Sequence, residues 1–188
     1  SNEQDSRFYA KAAQVPLLEP STYQEAKDLV PYAVKISQEF EIPVIIRSTT
    51  RLSHSSGLVN LGNISEHNWS ASLPKRSLYN IPNPHLKHRD LLEKMKRIAE
   101  KFMNSKWNKS PTLDDIDLLV ISSGTSHRYT REAIQLINAR RVDTLNLVTT
   151  YPLPEDLIIN SLDTTKNVLF SEEIDPFIED EVRSLAVN

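Results

Sequence analysis

The 188-residue chain contains no cysteine. Disulfides, thiolate metal sites and cysteine-ligated iron–sulfur clusters are therefore excluded within it, and the composition fits a reducing, cytoplasmic setting. Glycine is almost as scarce. Gly57, Gly62 and Gly124 are the only three, too scattered for a glycine-rich phosphate loop. No apolar run approaches the roughly 20 residues of a membrane-spanning helix. The polar start, Ser1-Asn2-Glu3-Gln4-Asp5, does not read as a signal peptide.

What is present is ordinary in kind and uneven in placement. Apolar residues make up 39% and charged residues 25%, enough at this length for a real core. The net charge of −3 hides a basic middle and an acidic end. Residues 51–110 carry 11 basic and 4 acidic side chains; residues 111–188 carry 6 and 14. Either the basic span packs on its acidic neighbour or it offers a surface to an acidic partner. Neither a nucleic acid nor a membrane is expected as a partner.

Residues 5–13 suit a short helix with Asp5 or Ser6 as N-cap. Val15-Pro16-Leu17-Leu18 reads as a strand. Thr22 and Glu25 form a capping box, and apolar residues at helical spacing run from Ala26 to Phe40. Pro31 inside that pattern predicts a kink or break near Asp28 to Val30. Val44-Ile45-Ile46 then reads as a strand buried on both faces. Residues 58–88 have weak periodicity and many turn formers, so they read as a connector, pinned by Trp69, Leu78, Tyr79 and Ile81. Asp90–Met103 is a basic amphipathic helix. After it come strands at 118–121, 145–148 and 168–170, each followed by a helix pattern. The helix from Ser126 to Asn138 is expected to bury Tyr129, Ala133, Ile134 and Ile137. This alternation predicts a parallel sheet covered by helices.

The stretch from Arg47 to Gly57 carries the strongest chemical signal. A strand ends and two arginines, two threonines, four serines and a histidine follow. The carboxyl end of a strand in an α/β protein is a common ligand position. Arg47 and Arg51 could hold an anion, with Thr49, Thr50 and Ser55 completing its shell. His54 is the candidate for proton handling or substrate orientation. The other reading is a polar loop. His85 and His88 are spaced as a metal pair, but no third ligand accompanies them, so no metal is expected. His127 and Arg128 open a helix just past a strand and are either a surface cap or a ligand-facing pair. Glu172 and Glu173 are adjacent and make a poor carboxylate dyad.

Five blocks occur in one order: Glu3-Gln4-Asp5-Ser6-Arg7, Pro16-Leu17-Leu18-Glu19-Pro20-Ser21, Pro43-Val44 through Thr49-Thr50-Arg51-Leu52-Ser53-His54-Ser55, Thr149-Thr150-Tyr151-Pro152-Leu153-Pro154, and Glu172-Glu173-Ile174-Asp175-Pro176. Together they resemble the thiamine diphosphate-dependent 2-oxoacid:ferredoxin oxidoreductases, and in that family the α subunits that act on indolepyruvate. The resemblance implies oxidative decarboxylation of an aryl pyruvate, coenzyme A as acyl acceptor and ferredoxin as electron acceptor. Pyruvate or another 2-oxoacid is the alternative substrate, and a non-catalytic module docking an acidic partner is the alternative role. Another subunit is the implied partner.

The resemblance also implies the organisation. Residues 1–50 would be the C-terminal part of a pyrimidine-binding-like domain and 51–112 a connector. Residues 113–188 would be a transketolase C-terminal-like domain, an α/β three-layer αβα unit with a parallel sheet. Thiamine diphosphate, Mg²⁺ and iron–sulfur clusters would belong to other parts of the full enzyme. The family's Gly-Asp-Gly metal motif has no counterpart here. The chain is expected to be an internal piece of a longer subunit, inactive alone.

Overall fold

A computed structural model of the chain describes residues 4–62, 83–113 and 115–186. The connector residues 63–82, with Trp69, Leu78, Tyr79 and Ile81, lie outside them.

Asp5 caps the first helix, α1 (Ser6–Ala13), by accepting from the Arg7 amide at 3.0 Å. The strand β1 (Leu17–Leu18) follows and is fully buried. Thr22 Oγ1 then accepts from the Glu25 amide at 3.1 Å, and Glu25 accepts from the Ser21 amide at 2.7 Å. This box starts α2 (Tyr23–Phe40). The break expected at Pro31 does not occur: α2 continues through it. Pro31 faces solvent, while Leu29, Ala33, Ile36 and Phe40 are buried on the opposite side. Burial of that stripe outweighs the lost hydrogen bond.

The strand β2 (Ile45–Ile46) pairs with β1 in parallel, Leu17 opposite Ile45 and Leu18 opposite Ile46. It is a half-buried edge strand, not the doubly buried one expected. Its apolar content reflects one covered face. A single helical turn, α3 (Thr50–Ser53), comes next. The basic helix is longer than expected: α4 runs Pro84–Met103. Met95, Ile98 and Phe102 join Leu18, Leu29, Ile36, Phe40 and Val148 in one core.

The second core forms on a parallel sheet. β3 (Leu118–Ser122) is its centre, flanked by β4 (Val142–Asn146) and β6 (Val168–Ser171). Leu119 and Ile121 face α6 (Glu155–Leu162) and α7 (Phe177–Ala186), where Ile158, Phe177, Ile178 and Val182 are buried. The alternate residues, including Ser122, face α5 (Gly124–Leu136). This is the expected three-layer α/β arrangement.

Two details of this half differ from expectation. The strand expected at 145–148 begins at Val142 and ends at Asn146. The chain then crosses to the first sheet, where β5 (Thr149–Tyr151) pairs antiparallel with β1. Asn108 fixes that crossing: Oδ1 accepts from the Val148 and Thr149 amides, and Nδ2 donates to Phe102 O and Thr149 Oγ1. All four bonds of a buried amide are thus made. The apolar face expected on α5 is not buried either. Tyr129, Ala133 and Ile137 are exposed and Ile134 half-buried. The buried part of α5 is its polar first turn, Gly124–His127. No helix among the described residues is long and apolar enough to cross a membrane.

Candidate functional site

Three segments that leave strands meet at one edge of the molecule, and two of them run into the first turn of a helix. Each follows the carboxyl end of a parallel strand: 47–50 after β2, 123–126 after β3 and 172–174 after β6. Between them lies a cleft of about 750 Å³, lined by Thr50, Arg51, Ser126, Tyr129, Glu172 and Glu173 among others. This is where α/β folds usually place ligands. A smaller cleft of about 220 Å³ adjoins it, lined by Tyr23, Arg51, Ser55, Thr125 and Arg128 among others.

Behind the cleft is a buried chain of charges. Arg7 is fully buried. It donates to Asp5 through Nε and NH2, to Glu172 Oε2 through NH1 at 2.6 Å, and to the carbonyls of Glu173 and Asp175. Arg47 is also buried; it pairs with Glu19 and lies 3.8 Å from Asp5. Glu172 in turn accepts from the Ile178 and Glu179 amides and so caps α7. Burial raises the Asp5 pKa, but the side-chain and backbone hydrogen bonds from Arg7 outweigh it and leave the group below its ordinary value. Glu19 goes the other way. Its burial outweighs the attraction of Arg47 and Arg7 and raises its pKa. Its second oxygen, Oε2, has no hydrogen-bond partner among the described residues. Three carboxylates share two guanidiniums, and Glu19 is the member that favours a proton.

The sequence candidates divide. Arg51 and Thr50 line the main cleft, and Arg51 and Ser55 the smaller one. Arg51 is 65% exposed, lies 3.4 Å from Glu173 and stacks over the Tyr129 ring at 5.4 Å. Arg47 instead faces inward, its charge taken by Glu19. Thr49 is buried, 3.4 Å from the Thr125 hydroxyl. Ser55 donates to the Leu52 carbonyl. His54 sits exposed at the C-cap of α3 and lines neither cleft.

His127 is no surface cap. It is buried, with Nδ1 3.0 Å from Ser122 Oγ. Arg128 is exposed over the Tyr23 ring. Sequence reasoning missed the Asp5–Arg7–Glu19–Glu172 network. Its signal was an arginine in a short helix and a carboxylate directly after each of two strands.

The chain was compared with known proteins. No family model matches it. It is 40% identical over 190 residues to the indolepyruvate oxidoreductase subunit IorA of Archaeoglobus fulgidus, covering 99% of this chain and 30% of that protein. The IorA of Methanothermobacter marburgensis is 37% identical, with 100% and 31% covered. That of Pyrococcus abyssi is 35% identical, with 97% and 29% covered.

Along essentially its whole length the chain is similar to one segment of these indolepyruvate oxidoreductase subunits. It spans about 30% of the length of the curated relatives it matches. Its fold is similar to part of a 2-oxoglutarate:ferredoxin oxidoreductase from Magnetococcus marinus, solved with 2-oxoglutarate, coenzyme A and succinyl-CoA bound. The TM-score is 0.67 at 14% identity, covering 97% of this chain and 40% of that one.

The residues present do not fit the diphosphate and metal end of thiamine diphosphate. The carboxylates at the cleft are already acceptors, Glu172 for Arg7 and the α7 amides and Glu173 for Thr125 Oγ1 at 2.5 Å. Among the described residues, no group of three or more His, Asp or Glu side chains is placed to hold a metal.

Proposed function

We propose that this chain is part of a cytoplasmic 2-oxoacid:ferredoxin oxidoreductase that oxidatively decarboxylates an aryl pyruvate, indolepyruvate, to its acyl-coenzyme A. Ferredoxin would take the electrons, and a second subunit would complete the enzyme. Thiamine diphosphate, Mg²⁺ and iron–sulfur clusters would supply carbanion stabilisation and electron transfer from regions outside these residues. The observation that carries this reading is 40% identity along essentially the whole chain to a protein named as an indolepyruvate oxidoreductase subunit. The same reading assigns residues 1–50 to the end of a pyrimidine-binding-like domain, 51–112 to a connector and 113–188 to a transketolase C-terminal-like domain.

Within that enzyme this chain supplies one wall of an anion-binding cleft. Arg51 is its exposed cation. Its partner Glu173 is half-buried, but the guanidinium is open to water, and a pair so screened contributes on the order of 1 kcal/mol. A carboxylate or phosphate ligand could therefore displace Glu173 without large cost. Thr50 adds a hydroxyl beside it, and Ser55 closes the adjoining cleft. Arg47 and Thr49 hold the loop from behind. His54 would act on a group presented by another part of the enzyme.

The test uses the whole subunit assembled with its partner. Arg51→Ala is expected to raise KM for indolepyruvate or for coenzyme A about tenfold with an unchanged unfolding midpoint. Unchanged kinetics for both would remove Arg51 from the site. Failure of the unaltered assembly to reduce ferredoxin with any 2-oxoacid would remove the catalytic reading itself. The 188 residues alone are expected to show no turnover.

A second reading rests on α4. Residues 83–90 are all exposed, and this turn carries His85, Lys87, His88 and Arg89. Further along, Lys96 and Arg97 face solvent too. This face suits an acidic partner such as ferredoxin. Charge reversal at Lys94, Lys96 and Arg97 should abolish salt-sensitive binding of ferredoxin; undiminished binding at low salt would refute docking there.

A further inference from the structure

A separate cleft, of about 540 Å³, lies away from the site above, between α5, the edge strand β4 and the segment 108–112. Its volume is in the range of small-molecule sites. Three side chains give it a character. Lys109 is placed by a two-way backbone bridge to Asn146, with N···O distances of 3.0 and 2.9 Å. Arg131 is exposed and lies one helical turn after His127, on the same face of α5. Among the described residues Arg131 has no ion-pair partner.

His127 is 93% withdrawn from solvent, being 7% exposed, yet it lines this cleft. Its Nδ1 meets Ser122 Oγ at 3.0 Å, and its other ring nitrogen has no partner among the described residues. That nitrogen is not sealed from solvent, so it can be reached from the cleft. If the Ser122 hydroxyl donates to Nδ1, Nε2 carries the hydrogen and is a donor aimed into the cleft. Burial, followed by the nearby Arg131 charge, lowers the His127 pKa to about 4, so the ring is a neutral donor at pH 7.

The one carboxylate on the lining is already engaged. Asp143 Oδ2 accepts from the Thr112 and Leu113 amides and from Thr112 Oγ1, and Oδ1 from the Thr144 amide. The lining therefore carries the exposed Arg131, Lys109, whose Nζ also donates to the Lys106 carbonyl at 2.7 Å, and one neutral donor, against one carboxylate held by four hydrogen bonds. That set matches a phosphate group, which offers several acceptor oxygens and up to two negative charges. Ile134 and Val142 add apolar wall for the rest of a ligand.

We propose that this cleft binds the phosphate group of a small phosphorylated molecule, held by Arg131, Lys109 and the His127 Nε2–H. The site is separate from the Arg51 cleft, and the proposal does not depend on the catalytic reading.

Inorganic phosphate is the probe. The ¹⁵N-labelled chain is titrated at pH 7 with sodium phosphate at constant ionic strength set by sodium chloride, and the His127 imidazole signals are followed. The expected result is a saturable shift, with His127 in the Nε2–H tautomer, that weakens at least tenfold in Arg131→Ala and in Lys109→Ala. Both substitutions are at exposed positions, so the amide spectrum away from the cleft should stay unchanged. No saturable shift overturns the proposal. So does an equal shift in both variants, or an Nδ1–H tautomer in the phosphate-saturated chain.

Discussion

Arg7 and Glu172 are 165 residues apart in sequence, yet NH1 of one lies 2.6 Å from Oε2 of the other. Both side chains are buried, with Asp5 on the other side of the guanidinium. The pair ties the first helix to the end of β6 and the start of α7. Arg7→Met would leave Glu172 buried without a counter-charge and Asp5 with only the more distant Arg47, 3.8 Å away. We expect a loss of about 3–5 kcal/mol in urea unfolding, the usual cost of removing one partner of a buried pair. Arg7→Lys should recover little of it, because an ammonium cannot reproduce the fork that reaches Asp5, Glu172 and two carbonyls. A loss under about 1 kcal/mol would mean that the network is not a structural tie.

Gly124 is held by the same network. Its φ is +52°, and a Cβ there would sit 2.8 Å from Glu19 Oε1. Gly124→Ala therefore meets both backbone strain and a clash with a side chain fixed by Arg47. The expected cost is roughly 1–3 kcal/mol. An unaltered urea midpoint would show that the turn between β3 and α5 can relax.

How much of this was readable from sequence varies by element. The capping box at Thr22 and Glu25 is a local pattern, and the structure follows it. The parallel pairing of β1 with β2 was likewise implied by the strand–helix–strand order. Where the chain departs from local rules, tertiary packing decides. Pro31 should break a helix, but the stripe Leu29–Ala33–Ile36–Phe40 holds it together. Leu145–Val148 looks like one strand, but Asn108 takes the amides of Val148 and Thr149 and turns the chain into the other sheet. No local pattern announces that. At the site, Arg47 and Arg51 are equivalent in sequence. Only burial separates them, one turned to Glu19 and the other to the cleft.

Glu19 has a folded-state pKa raised above its ordinary 4.5. A raised pKa means that the folded state binds the proton more tightly than the unfolded state. Glu19 therefore contributes stability that is fully present below about pH 4.5 and is lost as pH rises through the folded value. Asp5, whose pKa is lowered from 3.8, acts in a different window: its contribution is present above 3.8 and fades below it. Glu19→Gln should thus improve relative to the unaltered chain as pH rises from 4.5 to 8 in urea unfolding. A difference between the two that does not change with pH would mean that Glu19 is ionised in both states.

His127 opposes Glu19 over part of that range. Its pKa falls from 6.5 to about 4, first because it is buried and second because Arg131 is near. A lowered pKa makes the folded state prefer the neutral ring. The stability it contributes is present above pH 6.5 and is lost as pH falls toward 4. The full effect is on the order of 3–4 kcal/mol, at ~1.4 kcal/mol per pKa unit. His127→Gln keeps a group that can bond Ser122 Oγ but cannot titrate. Between pH 6.5 and 4 the unaltered chain should therefore lose stability relative to His127→Gln, in the direction opposite to the Glu19→Gln comparison. In the double variant both slopes should vanish. If His127→Gln tracks the unaltered chain across that range, burial of the ring against β3 does not lower its pKa.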